Sequence, residues 1–123
     1  MGSLKSFEEF EVWGAAREIT CRIYDLTKKT TFSKDFELIG QIRSASISVM
    51  SNIAEGYESQ TKNVFIRYLS IAKGSAGEVR SQLYVALDQK YISESELNTM
   101  TELVKRASRQ IASLIQYLKT CNL

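Results

Sequence analysis

Residues 65–86, FIRYLSIAKGSAGEVRSQLYVA, contain the hydrophobic spacing that decides the fold of this chain. Apolar residues recur in this stretch at alternating steps of four and three. They are Phe65, Leu69, Ala72, Ala76, Val79, Leu83 and Ala86. Residues at these steps share one face of an α-helix, and such a stripe is typical of helices that pack at shallow angles. The stretch therefore predicts a long amphipathic helix with one face in a hydrophobic core.

The same spacing occurs in three other segments of the chain. The first stripe is Val12, Ala16, Ile19, Ile23 and Leu26, and the second is Leu38, Ile42, Ala45, Val49 and then Asn52 or Ile53. The last stripe is Leu97, Met100, Val104, Ala107, Ile111, Leu114 and Leu118. Because short loops make neighbouring helices antiparallel, the sequence predicts an all-α fold, an antiparallel up-down-up-down four-helix bundle. We expect one domain over residues 1–123, with residues 1–6 a disordered or tag-like N-terminus.

The breaks between the stripes carry residues that begin and end helices. The candidate N-caps are Thr30, Thr31 or Ser33 for the second helix, Ser59 or Thr61 for the third, and a Ser93–Glu96 capping box for the fourth. Gly56 is expected to end the second helix in the left-handed conformation.

Composition narrows the classes of function. The chain has no histidine, and its two cysteines, Cys21 and Cys121, are far apart in the sequence. Zinc and di-iron sites rely on these residues in clusters, so we expect no metal and no other cofactor. No apolar run approaches the ~18 residues of a membrane span. We therefore expect reduced thiols, a cytoplasmic location and no membrane partner.

Glu55 and Glu78 lie on adjacent predicted helices, where a pair of carboxylates can act in acid–base catalysis. Nothing in the sequence supplies a nucleophile or an oxyanion hole beside them, so we expect no enzyme activity. Our interpretation is structural: Asn52, Glu55 and Glu78 form a polar network between helices two and three. In it the buried or half-buried carboxylates pair with Arg43, Asn52, Ser75 or backbone amides.

Gly74-Ser75-Ala76-Gly77 has the G-x-x-G spacing of the backbone clamp in KH domains. That clamp needs a loop, whereas these residues lie within the third stripe. We therefore interpret Gly74 and Gly77 as small residues at a close approach of two helices.

Two helices have more apolar surface than one bundle requires. The residues concerned are Phe10, Trp13, Ile39, Ile47 and Met50. Exposed apolar patches of this kind usually mark partner surfaces, so these positions predict a homo-oligomer interface. The alternative is that they pack under loops or in a wider core.

The net charge of +2 neither requires nor excludes nucleic acid. Two local sets of basic residues are candidates for RNA or DNA binding: Arg17 and Lys28, which lie among aromatic residues, and Lys105, Arg106 and Arg109 on the fourth helix. The alternative for both sets is ordinary packing and solvated surface.

Several motifs give the chain a resemblance to a known family. They are Gln41–Ser48, Asn52-Ile53-Ala54-Glu55-Gly56, Phe65–Ser75, then Glu78 and Gln82-Leu83, with Phe10 and Val12-Trp13 near the N-terminus. In this order and spacing they resemble the bacterial four-helix-bundle family of 23S rRNA intervening-sequence proteins. The accessory variability determinant of diversity-generating retroelements is similar. Arg43, Asn52, Glu55, Gly56, Gly74, Ser75 and Glu78 are the motif residues with a structural role.

The resemblance implies a ring-like homo-oligomer, typically a pentamer. It also implies nucleic-acid binding, or partnership with a reverse transcriptase. The chain departs from the family pattern in having no proline, and Ser44 stands where a second arginine often follows Arg43. The functions that remain open are a nucleic-acid-binding or ribonucleoprotein adaptor and a protein–protein assembly scaffold.

Overall fold

The computed structural model describes residues 6–120, and four long α-helices make up most of this range. They are α1 Glu11–Thr27, α2 Phe36–Glu58, α3 Lys62–Asp88 and α4 Glu94–Thr120. Short 3₁₀ turns lie at Phe7–Glu9 and Phe32–Lys34, and no strand occurs in the described range. Residues 1–5 of the expected tag-like segment, and Cys121, lie outside the described residues.

Each helix packs against two neighbours, α1 and α3 each lying between α2 and α4. The four helices therefore stand at the corners of a square, and the predicted all-α four-helix bundle is confirmed. No helix within residues 6–120 is both long and apolar enough to cross a membrane.

The hydrophobic stripes form the core of the bundle. Every residue of the first and third stripes is buried, and Ile53 rather than Asn52 is the buried residue that ends the second stripe. In α4 the core residue after Ile111 is Ile115, and the predicted Leu114 is only half-buried. An α-helix has 3.6 residues per turn, so a strict 3.5-residue repeat drifts around it, and the step after Ile111 is four residues instead of the predicted three.

The start of α2 differs from the prediction. Asp35, rather than Thr30, Thr31 or Ser33, caps the helix, since its side chain accepts a hydrogen bond of 3.0 Å from the Leu38 amide. Ser33 instead donates to the Thr30 carbonyl within the preceding turn, at 2.8 Å.

The turn between α2 and α3 also differs. Gly56 does not end α2, which continues to Glu58, and the left-handed residue is Gln60, with φ of 58°. Thr61 stands at the N-cap of α3 without a side-chain cap bond. The predicted box before α4 is confirmed: Ser93 Oγ accepts from the Glu96 amide at 3.1 Å, and Glu96 accepts from the Ser93 amide at 2.9 Å.

Candidate functional site

An arginine-lined groove runs along the outer side of the α1–α4 pair. Arg106 and Arg109 from α4 line it together with Arg22 from α1, and Glu102 lies beside them. Asn98, Thr99 and Leu103 complete its lining. Arg106 and Arg109 also line the adjoining stretch, together with Glu9 and Glu11 and over an apolar floor that includes Val12 and Leu114. We call these two stretches together the α1–α4 groove.

The arginines of the groove differ in how their charge is neutralised. Arg22 pairs with Glu18 one turn earlier, its Nη2 lying 3.1 Å from the Glu18 carboxylate, and both side chains are about half exposed. Arg106 and Arg109 make no ion pair with any residue in the described part of the chain. An exposed pair such as Arg22–Glu18 is weak and exchanges readily. The groove therefore presents three guanidinium groups to an anion, beside the carboxylates of Glu9, Glu11 and Glu102.

The structure separates the other predicted basic residues from this groove. Arg17 lies five residues from Arg22, about 140° away around the helix, and its guanidinium is 5.8 Å from the centre of the Trp13 ring. Lys105 is half-buried and turned about 100° away from Arg106. The sequence missed Arg22, because helical spacing alone does not tell which side of α1 faces α4.

The residues of the predicted oligomer interface are mostly used inside the chain. Phe10 is buried, and the centre of its ring lies 5.3 Å from that of Tyr57 and 6.1 Å from that of Phe65. The prediction that Phe10 points outward is therefore wrong. Trp13, Ile39 and Met50 are half-buried and pack against the core.

Two large side chains do remain outside the core on α2. Ile47 is 40% exposed, as predicted for an outward residue, and Phe36 is 83% exposed. Phe36 was not singled out in the sequence because it precedes the hydrophobic stripe of its helix.

Arg43 ties α2 to α1. Its Nε donates to the Thr27 hydroxyl at 2.9 Å, and its guanidinium lies 4.2 Å from the centre of the Tyr24 ring. The expectation that Arg43 pairs with Glu55 or Glu78 is therefore wrong. Arg43 is a structural cation at the α1–α2 contact, satisfied by a hydroxyl and an aromatic face.

Hydroxyl and amide groups connect α2 to α3. Asn52 donates to the carbonyl and the hydroxyl of Ser48, at 2.8 and 2.9 Å. The Ser48 hydroxyl in turn lies 2.9 Å from that of Ser75 on α3. Asn52 and Ser75 thus belong to one polar network across the two helices.

The two carboxylates of the predicted network lie at its rim. Glu55 accepts from the Tyr68 hydroxyl at 3.3 Å, and Glu78 accepts from Gln82, whose amide also reaches Gln41 at 3.4 Å. Both glutamates are exposed, which corrects the expectation that they are buried or half-buried. The Glu55 contact joins α2 and α3 as expected, whereas the Glu78 contact stays within α3 and Gln82 makes the bond to α2. The effect of both glutamates on stability stays a prediction.

The glycines of the motifs have different surroundings. At Gly56 a Cβ atom would lie 2.8 Å from Tyr68 Cβ and 2.9 Å from Phe65 Cδ1, so α2 and α3 approach closely at this position. At Gly74 and Gly77 a Cβ would meet nothing within 4 Å. The prediction of a close approach at those two glycines is therefore wrong for contacts within the chain, and both lie in helix, where a KH-type clamp does not form.

No group of three or more Cys, Asp or Glu residues is placed to hold a metal ion within residues 6–120. The described geometry thus consists of an α-helical bundle, an arginine-lined groove and a set of motif residues that join the helices.

The sequence and the fold both have counterparts among known proteins. The family model of the 23S rRNA-intervening sequence protein matches residues 8–113. A crystal structure at 1.70 Å of a protein with unknown function, from the S23 ribosomal protein family of Bacteroides thetaiotaomicron VPI-5482, is also similar. It has 26% sequence identity and a TM-score of 0.78, over 85% of this chain and 97% of that one. No match is found among curated protein sequences.

The fold places the chain in the class of all-α four-helix-bundle proteins. The chain belongs to the 23S rRNA-intervening sequence protein family.

Proposed function

We propose that this chain is a non-enzymatic, homo-oligomeric nucleic-acid-binding protein of the cytoplasm that serves as an adaptor in ribonucleoprotein assemblies. The observation that carries the proposal is the α1–α4 groove, where Arg22, Arg106 and Arg109 converge. Guanidinium groups match phosphate oxygens in pairs, and phosphate contacts supply most of the affinity of non-specific nucleic-acid binding. The name of the family makes 23S ribosomal RNA the first probe.

Self-association would strengthen this binding. One copy offers few phosphate contacts, whereas a homopentamer, the assembly that the family resemblance implies, repeats the groove five times. Multivalency raises apparent affinity without any new contact in the groove. A reverse transcriptase is the protein partner that the resemblance to retroelement accessory proteins implies.

The test is a fluorescence-anisotropy titration of single-stranded and duplex RNA and DNA at ~50 and ~200 mM salt, a range in which counterion release is large. The double variant Arg106→Ala/Arg109→Ala should bind all probes more weakly, because phosphate contacts carry no sequence information. The slope of log affinity against log salt should become less steep by roughly 0.9 on duplex DNA, and roughly 0.7 on single strands, for each phosphate that the variant no longer neutralises.

A matched control removes the same charge from the other side of α1. Arg17→Ala/Lys28→Ala should leave the affinity nearly unchanged, since neither residue lines the groove. If an oligomer of confirmed mass binds no probe at the lower salt concentration, nucleic-acid binding is wrong and the second candidate takes its place.

The second candidate is a protein–protein assembly scaffold. It is favoured by the outer side of α2, where Phe36 is 83% and Ile47 40% exposed. Large apolar side chains in such positions usually mark a partner surface. In a scaffold, Arg106→Ala/Arg109→Ala would leave assembly and partner binding intact.

A further inference from the structure

A cavity lies at one end of the α1–α4 groove, between the last turns of α1 and the first turns of α4. Its volume is about 290 Å³, near the lower end of the range for ligand pockets. Arg22 and Thr99 line both the cavity and the groove, so the two are continuous. Along α1 the cavity extends from Arg22 to Lys29, a length of about 10 Å from the helical rise. We call it the end cavity.

The end cavity has an apolar floor. Leu26 from α1 and Met100 from α4 line it, and these core side chains are only 9% and 3% exposed. Water above such a floor lacks hydrogen-bond partners on one side, so the floor favours a ligand that covers it with apolar surface.

An ion pair stands at the end of the cavity remote from the groove. Lys29 Nζ pairs with Glu96 Oε2 and so joins α1 to α4, while Glu96 Oε1 accepts from the Ser93 amide. Both carboxylate oxygens of Glu96 are therefore used within the chain, and the Lys29 charge is neutralised.

Asp25 lines the end cavity with a carboxylate that the chain leaves unpaired. It lies one turn from Arg22 and from Lys29 on the same side of α1, yet it makes no hydrogen bond or ion pair with any side chain of residues 6–120. The hydroxyl groups of Ser95 and Thr99 line the cavity from α4 and also lack a partner within the described range. Since a carboxylate only accepts hydrogen bonds, this side of the cavity requires a ligand with neighbouring donors.

We propose that the end cavity binds one guanine base of a strand that lies in the α1–α4 groove. The inference rests on the proposed nucleic-acid binding and adds a base preference to it. The two oxygens of a carboxylate accept a pair of parallel N–H bonds, and the Watson–Crick edge of guanine offers two neighbouring donors, N1–H and the N2 amino group. Asp25 is the residue that reads this edge, and the flat base covers Leu26 and Met100.

The other bases offer Asp25 fewer donors. Adenine has the acceptor N1 beside its amino group, cytosine has the acceptor N3, and uracil has a single N–H between two carbonyl groups. Against an acceptor-only carboxylate each of them loses at least one hydrogen bond and brings two lone pairs together. The remaining group on the guanine edge, the acceptor O6, matches the hydroxyl donors of Ser95 and Thr99.

The charges at the mouth of the cavity fit the two ends of one nucleotide. Arg22 lines the cavity and the groove and is suited to the phosphate, whereas Asp25 lies one turn further along and is suited to the base. A small ammonium ion would satisfy Asp25 but leave Leu26 and Met100 facing water. The combination of floor, carboxylate and arginine therefore favours a nucleotide.

The first experiment measures the base preference. Fluorescence anisotropy at ~50 mM salt compares four short oligouridine probes that carry guanosine, inosine, adenosine or uridine at one central position. The guanosine probe should bind about tenfold more tightly than the adenosine and uridine probes, within the range for a two-bond base contact. Inosine keeps N1–H but lacks the N2 amino group, so the affinity of its probe should lie between them.

The second experiment assigns the preference to Asp25. Asp25→Asn removes the charged acceptor with little change in shape, and it should bring the ratio of guanosine to uridine affinity close to one. Affinity for the all-uridine probe and its salt dependence should be retained, because Asp25 contacts no phosphate in the proposed complex. Asp88→Asn is the matched control: Asp88 is an exposed aspartate at the end of α3, outside the groove and the cavity, and its variant should keep the wild-type ratio.

Free guanosine monophosphate distinguishes a base within a strand from a free nucleotide. It should displace the guanosine probe only at concentrations far above the Kd of that probe, because it lacks the flanking phosphates that the groove contacts. Binding as tight as that of the probe would overturn the assignment of the cavity to a strand.

The remaining outcomes separate this inference from the proposed function. Equal affinity for the four probes, or a guanosine preference that Asp25→Asn retains, overturns the guanine site alone. If none of the four probes binds, the proposed nucleic-acid binding fails together with it.

Discussion

Gly56 is the residue at which a single added methyl group should change the stability of the bundle most clearly. Two of the three atoms nearest to a Cβ added at this position, Tyr68 Cβ and Phe65 Cδ1, would lie closer than 3.0 Å, and the third, the Phe65 carbonyl oxygen, at 3.3 Å. Tyr68 Cβ is attached directly to the backbone of α3. A rotamer change cannot move it away, so α2 and α3 must separate.

The expected effect of Gly56→Ala is the difference between two opposing contributions. Overpacking a tight contact costs about 1–3 kcal/mol, and the backbone position of Tyr68 Cβ favours the upper end of that range. The higher helix propensity of alanine returns about 1 kcal/mol. We therefore expect a net loss of about 2 kcal/mol. Unfolding entropy near 2.1 cal/mol/K per residue converts this loss to a Tm lower by about 8 °C for a chain of this length.

The assay is thermal unfolding followed by circular dichroism, at equal protein concentration because self-association shifts Tm. Gly14→Ala is the control, since a Cβ at Gly14 meets nothing within 4 Å and only the propensity gain remains. Its Tm should rise by about 4 °C, from about 1 kcal/mol of added helix propensity. A Gly56→Ala variant that melts at or above the wild-type temperature would refute the close approach of α2 and α3 at this residue.

Two further predictions concern contacts between helices. Arg43→Ala should lower the free energy of unfolding by about 1–2 kcal/mol in urea titrations, because it removes the bond to Thr27 and the contact with the Tyr24 ring. Arg43→Lys should recover less than half of that loss, and full recovery would show that charge alone matters. The Asp35 carboxylate accepts a hydrogen bond from Tyr91 at 2.9 Å and raises the pKa of Tyr91 above its ordinary 10.0. The stabilisation is therefore present below about pH 10 and is lost as the pH rises further. Above that pH the Tm of the wild type should fall more steeply with pH than the Tm of Tyr91→Phe. Parallel curves of Tm against pH for the two proteins would contradict this.

The sequence predicted the helices well because their cores are regular. The spacing from Phe65 to Ala86 requires only that one side of a helix be apolar, and this condition holds wherever the helix lies in the bundle. The start of α2 was predicted less well. Asp35 competes with Thr30, Thr31 and Ser33 as a cap, and the Tyr91 hydroxyl that holds its carboxylate comes from a distant segment.

The candidate site was predicted only in part for a similar reason. Arg106 and Arg109 are close in sequence, and helical spacing is enough to bring them together. Arg22 joins them only because α1 packs beside α4 with that side turned outward. Phe10 appeared to be an outward residue of α1, but it precedes the helix and turns into the core against Tyr57 and Phe65. The periodicity of a single helix predicts neither the position of Arg22 nor the burial of Phe10.

The proposed self-association and the proposed nucleic-acid binding are linked through the number of α1–α4 grooves that one assembly holds. A single copy carries one groove, with Arg22, Arg106 and Arg109 beside three carboxylates, and offers few phosphate contacts. A homopentamer would carry five such grooves and could contact one bound strand at several of them. Dissociation into single copies should therefore weaken binding while leaving every groove unchanged, because avidity depends on the number of grooves held together and not on the contacts within one of them.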